Sequence, residues 1–100
     1  MQFISTAKYE RIYFSVFDQL LRSGTSIGAN IVEAKAGSSL KDFRNFYNIA
    51  LKSANETKYW LCLIRDTIDK SVEKDKINRL IKEADELSKI IASIIINLQK

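Results

Sequence analysis

The sequence predicts an all-α protein, an antiparallel up-and-down bundle of three long helices in a single domain of residues 1–100. The chain contains no proline and only three glycines, so few positions interrupt a helix. Apolar residues make up 46% of the chain and recur at alternating gaps of three and four, the spacing of one helix face. The predicted breaks between helices are short, and short connections favour antiparallel neighbours.

The first predicted helix covers residues 6–36 and holds two conflicting patterns. An apolar seam runs through it, yet Gly24 and Gly28 lie one turn apart in the same segment and allow a bend there. A glycine inside a helix costs about 1 kcal/mol relative to alanine. We therefore expect close packing, with a neighbouring backbone approaching the two glycines. Gly37 is predicted to end the helix in the left-handed conformation. The seam comprises Leu20, Gly24, Ile27, Ile31 and Ala34.

The second predicted helix covers residues 40–69 and follows two capping serines, Ser38 and Ser39. Ser39 and Asp42 form a start that resembles a capping box. One apolar stripe, within an arc of about 80°, is expected to face the bundle. It consists of Phe43, Phe46, Ala50, Ala54, Thr57, Leu61, Ile64 and Ile68.

The third predicted helix begins after Ser71, a plausible N-cap followed by Glu73 in the first turn. Its seam repeats by heptads, which is typical of helices packed side by side. Beyond Lys89 the helix carries more apolar residues than one seam needs, so a second contact, with another helix or another subunit, is expected at Ile90 and Ile95. The seam comprises Ile77, Leu80, Ala84, Leu87, Ile91, Ile94 and Leu98.

Composition narrows the classes of function. The chain has no histidine and one cysteine, Cys62, so histidine acid-base catalysis, Cys-His nucleophiles, disulfides and nearly all zinc sites are excluded. We expect no enzymatic activity, no metal and no cofactor. The longest apolar run, residues 90–98, is too short to cross a bilayer, and no signal peptide is recognised. The expected location is the cytoplasm.

A basic face on the second helix is the candidate nucleic-acid surface. Lysine and arginine side chains spaced along a rigid helix can follow a phosphate backbone, and Tyr59 can stack on a base. An ordinary solvated face would look similar, because such faces are usually rich in lysine. The candidate binding residues are Lys41, Arg44, Lys52, Lys58, Tyr59 and Arg65, with Asn48 and Asn55 between them.

A polar row lies beside the glycines on the first helix, opposite a polar flank on the second. We expect a structural network in which Arg22 pairs with Glu33 or Glu56. Catalysis would need more than that carboxylate pair, and di-metal bundles add a Glu-x-x-His motif that this chain lacks. The predicted network comprises Arg22, Ser26, Asn30, Glu33, Ser53 and Glu56.

Trp60 lies near Ile49 and Leu63 on the helical projection. Tryptophan is favoured in cores and at interface hot spots alike, so its type alone leaves both roles open.

Three motifs together resemble the "four helix bundle protein" family, founded on the 23S rRNA intervening-sequence proteins of bacteria. They are the run at residues 19–34, the Asp42-Phe43 pair and the stretch at residues 50–61, and the resemblance spans residues 15–98. It implies a four-helix-bundle fold whose first helix is here shortened or missing, because only eighteen residues precede the first motif. Its aromatic lead would partly fill the vacant groove, or a neighbouring subunit would. The lead includes Phe3, Ile4, Tyr9, Tyr13, Phe14 and Phe17.

The resemblance also implies rings of five subunits, which favours a contact role for Trp60, and an association with nucleic acid. The net charge of +4 supports the latter, because residues 1–65 hold nine Lys/Arg against five Asp/Glu, whereas residues 66–100 hold seven of each. We expect a non-enzymatic homo-oligomeric scaffold that binds structured RNA or an RNA-processing protein. The alternative is a protein-protein interaction module with no nucleic-acid role.

Overall fold

Three helices make up the fold: α1 (Gln2–Ala36), α2 (Leu40–Thr67) and α3 (Ser71–Leu98). The computed structural model describes residues 2–37, 39–67 and 71–98, with side chains omitted at residues 2–10, 12, 71 and 72. No strand occurs in those ranges, so the all-α prediction is confirmed. The helix α1 starts earlier than predicted. The predicted roles of Ser38 and Ile68, and of the Ser71 side chain, lie outside the described residues.

Consecutive helices run antiparallel, as predicted. Cross-helix hydrogen bonds pair rising residue numbers on one helix with falling numbers on the next. They join Tyr13 to Thr67 and Ser26 to Ser53 between α1 and α2, and Lys58 to Asp85 and Arg65 to Asn78 between α2 and α3.

The central helix is α2, which packs against both of the others. Among the described residues, no Cα atom of α1 lies within 8 Å of a Cα atom of α3. The molecule is elongated, with extents of 57 × 22 × 15 Å. One side of α2 is therefore covered by α1 and α3, which leaves its opposite side as an exposed face.

Small side chains form the centre of the core. Ala50 and Ala54 are fully buried, so the backbones of neighbouring helices can approach α2 closely. The predicted stripe of α2 is buried as expected from Ala50 through Ile64. Tyr47 is also buried, although the stripe did not include it. The core cluster consists of Ile27, Ala34, Tyr47, Ala50, Ala54, Ile91 and Ile95.

The buried seam of α3 is rotated from the predicted one. Ser88 and Ile95 are buried with Ala84 and Ile91, whereas Leu80 is 49% exposed. A serine is tolerated there because the Ser88 hydroxyl donates to the Ala84 carbonyl at 3.0 Å. The heptad pattern predicts a seam of apolar residues. It does not indicate that a serine can be buried when its hydroxyl is hydrogen-bonded. Of the two alternatives predicted for Ile95, a contact with another helix or with another subunit, the structure shows the first, because its side chain lies in the core of its own chain.

The glycines behave differently from the predictions. No described glycine has a positive φ, so Gly37 does not adopt the left-handed conformation. Its N–H instead donates to the Ala34 carbonyl at 3.3 Å, a tighter final turn. A Cβ placed at Gly24 or Gly28 would meet nothing within 4 Å. Close packing at these glycines is therefore not made within a single chain, because both face open space.

Candidate nucleic-acid interface

The exposed face of α2 carries a shallow depression of about 510 Å³. Its lining residues occupy positions i, i+3, i+4, i+7, i+8, i+11 and i+12 of α2, so all of them lie on one side of the helix. They combine amide, ammonium, carboxylate and aromatic side chains: Asn48, Leu51, Lys52, Asn55, Glu56, Tyr59 and Trp60.

Two aromatic rings form one end of this depression. Tyr59 is 60% exposed and meets Trp60 edge to face, with ring centroids 4.9 Å apart and an interplanar angle of 74°. The contact holds the Tyr59 ring against a half-buried neighbour, which limits its rotation. A ring held in this way can receive a flat partner such as a nucleobase or a peptide aromatic group.

Two of the predicted cations are exposed on this side of the molecule. Lys52 lines the depression, and Lys41 lies eleven residues earlier, about three turns along the same helix. Neither forms an ion pair with a described residue. Both ammonium groups can therefore reach an anionic partner without breaking a contact in that part of the chain.

Two further candidates, Lys58 and Arg65, are occupied by contacts within the chain. Lys58 donates to Asp85 of α3 at 3.1 Å. Arg65 donates to Asp66 at 3.0 Å, and this hydrogen bond to the carboxylate raises the pKa of the guanidinium above its usual value. Lys58 thereby joins α2 to α3, and the positive charge of both side chains is partly neutralised.

Arg44 is also turned inward. It is half-buried, and its Nη2 atom lies 3.5 Å from the Leu98 carbonyl at the end of α3. A cation at this position complements the partial negative charge of the helix C-terminus. The basic surface on α2 is thus narrower than the sequence predicted.

Asp85 connects two lysines on the α3 side. Its Oδ2 atom is 3.0 Å from Lys89 and its Oδ1 atom is 3.1 Å from Lys58. The hydrogen bonds from Lys89 and from Lys58 hold the pKa of the carboxyl below its usual value, because both stabilise the charged form. No sequence pattern indicates this contact, because it depends on the register between α2 and α3.

Part of the predicted polar network forms between α1 and α2. The hydroxyls of Ser26 and Ser53 are 2.8 Å apart. The Asn30 amide donates to the Ser26 carbonyl at 2.8 Å and to its hydroxyl at 3.0 Å. These three residues therefore satisfy one another at the interface of the two helices.

The charged part of that network does not form. Arg22 pairs with Asp18 of its own helix at 3.1 Å, one turn away. Glu33 and Glu56 are exposed, so the predicted pairing of Arg22 with either glutamate is wrong. Asp18 lies one turn from Arg22 on the same helix surface. Their pairing therefore costs less side-chain conformational entropy than a pairing of Arg22 with a glutamate farther away.

A second hydrogen-bonded pair was missed at the sequence level. The Thr57 hydroxyl donates to the Ser23 hydroxyl at 3.0 Å, and both residues are buried. The two pairs, Ser26–Ser53 and Ser23–Thr57, lie one turn apart and fix the register of α1 on α2. One sequence feature indicates this pair. Ser23 falls between Leu20 and Ile27 on the buried side of α1, where a polar residue needs a hydrogen-bond partner.

Neither a metal-ligand cluster nor a membrane span is found in the described ranges. No group of three or more His, Cys, Asp or Glu side chains there could hold a metal ion. None of the helices, as described, is long and apolar enough to cross a membrane.

These features define a small helical protein with an exposed polar and aromatic face. The chain belongs to the 23S rRNA-intervening sequence protein family, which matches residues 3–93. This confirms the resemblance read from residues 19–34 and 50–61.

One solved structure similar to this chain comes from Bacteroides thetaiotaomicron VPI-5482 and is described as a protein with unknown function from the S23 ribosomal protein family. It is 49% identical, with a TM-score of 0.67, and the match covers 80% of this chain and 72% of that one. No protein of curated function matches.

Proposed function

We propose that this protein is a non-enzymatic, cytoplasmic scaffold of a bacterium that binds structured RNA through the exposed face of α2. The observation that carries the proposal is the depression in which Lys52 and Tyr59 lie together. An ammonium group and a held aromatic ring, with amides between them, match one phosphate and one unpaired base. The family name supports an RNA context.

We also propose that the protein acts as a homo-oligomer, with a ring of five as the form that the family resemblance favours. Two exposed cations make a weak site in one copy. Five copies at +4 each carry +20, and linked weak sites act together on one RNA. Trp60 and the exposed Ile49 and Ile90 are the proposed contacts between subunits.

The binding experiment uses a labelled RNA hairpin with an unpaired loop and a fully paired RNA of the same length. We expect the hairpin to bind more tightly, because bases in A-form duplexes are poorly accessible. Affinity should fall steeply between about 50 and 200 mM salt, because phosphate contacts release counterions.

Charge reversal on α2 needs a control of equal charge. The double variant Lys41→Glu/Lys52→Glu lowers the net charge from +4 to 0, and so does Lys76→Glu/Lys82→Glu on exposed positions of α3. We expect the first variant to lose binding and to reduce the salt slope by about two, whereas the second should lose much less. Equal losses of affinity would mean that binding depends only on the net charge, which would contradict a specific binding face on α2.

A protein-interaction module is the second candidate. It is favoured by the apolar part of the depression, Leu51 and Trp60, and by the neutralisation of Lys58 and Arg65 within the chain. Under this alternative, the hairpin fails to bind, or binds with no dependence on salt.

A further inference from the structure

The depression on α2 contains a carboxylate that contact with phosphate does not explain. Glu56 lines it together with Lys52 and Tyr59 and is exposed. It forms no ion pair with a residue that the structure describes. Lys52 lies one turn before Glu56, which is the less favourable order for a lysine–glutamate pair on a helix. A free carboxylate repels phosphate, so it favours RNA only where the RNA brings hydrogen-bond donors to it.

Glu56 lies beside the aromatic ring on which a base would stack. Tyr59 follows Glu56 by three residues, a rise of about 4.5 Å along the helix. At about 100° per residue, Glu56 and Asn55 fall on opposite sides of Tyr59, and all three line the depression. Because side chains of a helix lean toward its N-terminus, Tyr59 covers the turn that holds the other two. A base stacked on this ring therefore has the carboxylate at one edge and the amide at another.

Asn55 supplies donors on its side of the ring. Its side-chain oxygen lies 3.3 Å from the hydroxyl of Ser88 on α3. This contact uses the carbonyl end of the amide and leaves the two N–H groups of Nδ2 for a ligand. The depression thus presents two acceptor oxygens on one side of Tyr59 and N–H donors on the other.

Guanine is the RNA base that matches this order of groups. It carries two adjacent donors, N1–H and N2–H, with the acceptor O6 beside them. The two oxygens of a carboxylate accept both donors, while an amide donates to O6. Adenine, cytosine and uracil instead place an acceptor next to each donor of the same edge. That acceptor would face the carboxylate with no proton between them, which is unfavourable.

We propose that the depression binds an unpaired guanine, which stacks on Tyr59 and donates N1–H and N2–H to Glu56. Asn55 then donates to O6, and Lys52, about 10.5 Å from Tyr59 along the helix, meets a neighbouring phosphate. This choice of base rests on the proposed RNA role of the same surface. The volume of about 510 Å³ lies in the range of pockets that hold one small ligand.

An arginine side chain of a protein partner is the chemical rival of guanine. A guanidinium offers a carboxylate the same two parallel donors and also stacks on aromatic rings. The charge of the depression favours guanine, however. Lys52 lies one turn from Glu56 and repels an incoming cation. Guanine is neutral, and the phosphates on either side of it are attracted by the same ammonium group.

A series of RNA hairpins tests the preference for a base. All share one stem and a loop of uridines whose central position is guanosine, inosine, adenosine, cytidine or uridine. We expect guanosine to bind about 10-fold more tightly than the other three standard bases, as for one bidentate contact. Inosine lacks the N2 amino group and should fall between them. Equal affinities overturn the guanine proposal and leave the RNA role standing, whereas no binding by any hairpin overturns both.

Replacement of Glu56 separates recognition of the base from general electrostatics. Glu56→Gln removes a negative charge from the RNA-binding surface, so electrostatics alone would strengthen the binding of every hairpin. We expect the guanosine hairpin instead to bind less tightly, and its preference to disappear, because a glutamine offers one acceptor in place of two. The control, Glu86→Gln, removes the same charge from an exposed position of α3 and should keep the preference. A guanosine preference that survives in Glu56→Gln overturns the proposal.

A labelled peptide with a single arginine, titrated without RNA, tests the rival. We expect no binding to the wild-type protein. Binding that is lost in Glu56→Gln and kept in Glu86→Gln would assign the carboxylate to a protein partner and overturn the guanine proposal.

Discussion

At the scale of single residues, buried hydroxyl groups hold α1 and α2 in register. Ser23 and Thr57 bond to each other inside the interface, and a slip of one turn would break this bond and leave each hydroxyl with only a carbonyl of its own helix. Apolar side chains tolerate such a slip more easily, because their attraction is not directional. The hydroxyl pairs therefore contribute more to the choice of register than to total stability.

The variant Thr57→Val keeps the shape of the side chain and removes the hydroxyl. We expect the free energy of unfolding to fall by about 1 kcal/mol, the usual net contribution of one such hydrogen bond. Urea titration followed by circular dichroism measures the loss. The control is Thr25→Val, because the exposed Thr25 hydroxyl bonds only to carbonyls of its own helix, at 2.8 Å from Leu21. A loss at Thr25 as large as that at Thr57 would contradict the role of the cross-helix bond.

Asp85 makes the α2–α3 contact sensitive to acid. Hydrogen bonds from Lys89 and Lys58 lower the pKa of its carboxyl in the folded state. Its contribution to stability is therefore present above the ordinary carboxyl pKa and is lost as the pH falls through the lower folded-state value. We expect Asp85→Asn to lower the Tm at neutral pH, and the difference from wild type to shrink in strong acid.

Thermal melts of both proteins from neutral to acidic pH measure this dependence. The control is Glu86→Gln, which removes the same charge from an exposed position of α3 without breaking an ion pair between described residues. A Tm difference for Asp85→Asn that stays constant across the series would contradict the linkage.

At the scale of elements, two neighbouring isoleucines of α3 allow a core position to be compared with a surface position. Ile95 is 7% exposed and its neighbour Ile96 is 55% exposed. We expect Ile95→Ala to cost about 2–5 kcal/mol, because it leaves a cavity, and Ile96→Ala to cost less than about 0.5 kcal/mol. Denaturant titration of the two variants gives the comparison, and similar losses would contradict the burial of Ile95.

The helices themselves could be predicted from the sequence, because apolar periodicity and the absence of proline are local properties. The burial of Ala50, Ala54 and Leu61 followed from that periodicity, and so did the capping of α2, where Ser39 accepts the Asp42 N–H at 3.1 Å. The rotation of α3 could not be predicted. It depends on how α2 and α3 pack, which places the Ser88 hydroxyl 3.3 Å from the Asn55 side-chain oxygen in addition to its bond with Ala84.

The candidate site was predicted less completely than the helices, because its contacts also depend on how the helices pack. The exposure of Lys52 and Tyr59 followed from their position opposite the core stripe. The pairing of Lys58 with Asp85 and the contact of Arg44 with Leu98 join residues far apart in sequence. One sequence gives no measure of such pairs, so the positive surface was predicted to be broader than it is.

At the scale of the whole molecule, assembly should make stability depend on concentration. If chains associate as proposed, folding and association are linked, and the Tm rises with total chain concentration. We expect the Tm to increase by several degrees over a roughly 100-fold range of concentration. Calorimetry at both ends of the range measures the shift, and a wild-type Tm independent of concentration would contradict linked association.

The central position of α2 has a consequence for how the fold opens. Because α1 and α3 each pack on α2 and lie apart from each other, either outer helix can detach while the remaining two keep their contact. Amide protons of α2 can exchange with solvent only after an opening that disturbs a shared interface. The slowest exchange is thus expected in the middle helix, around Ala50 and Ala54, with faster exchange in the two outer helices.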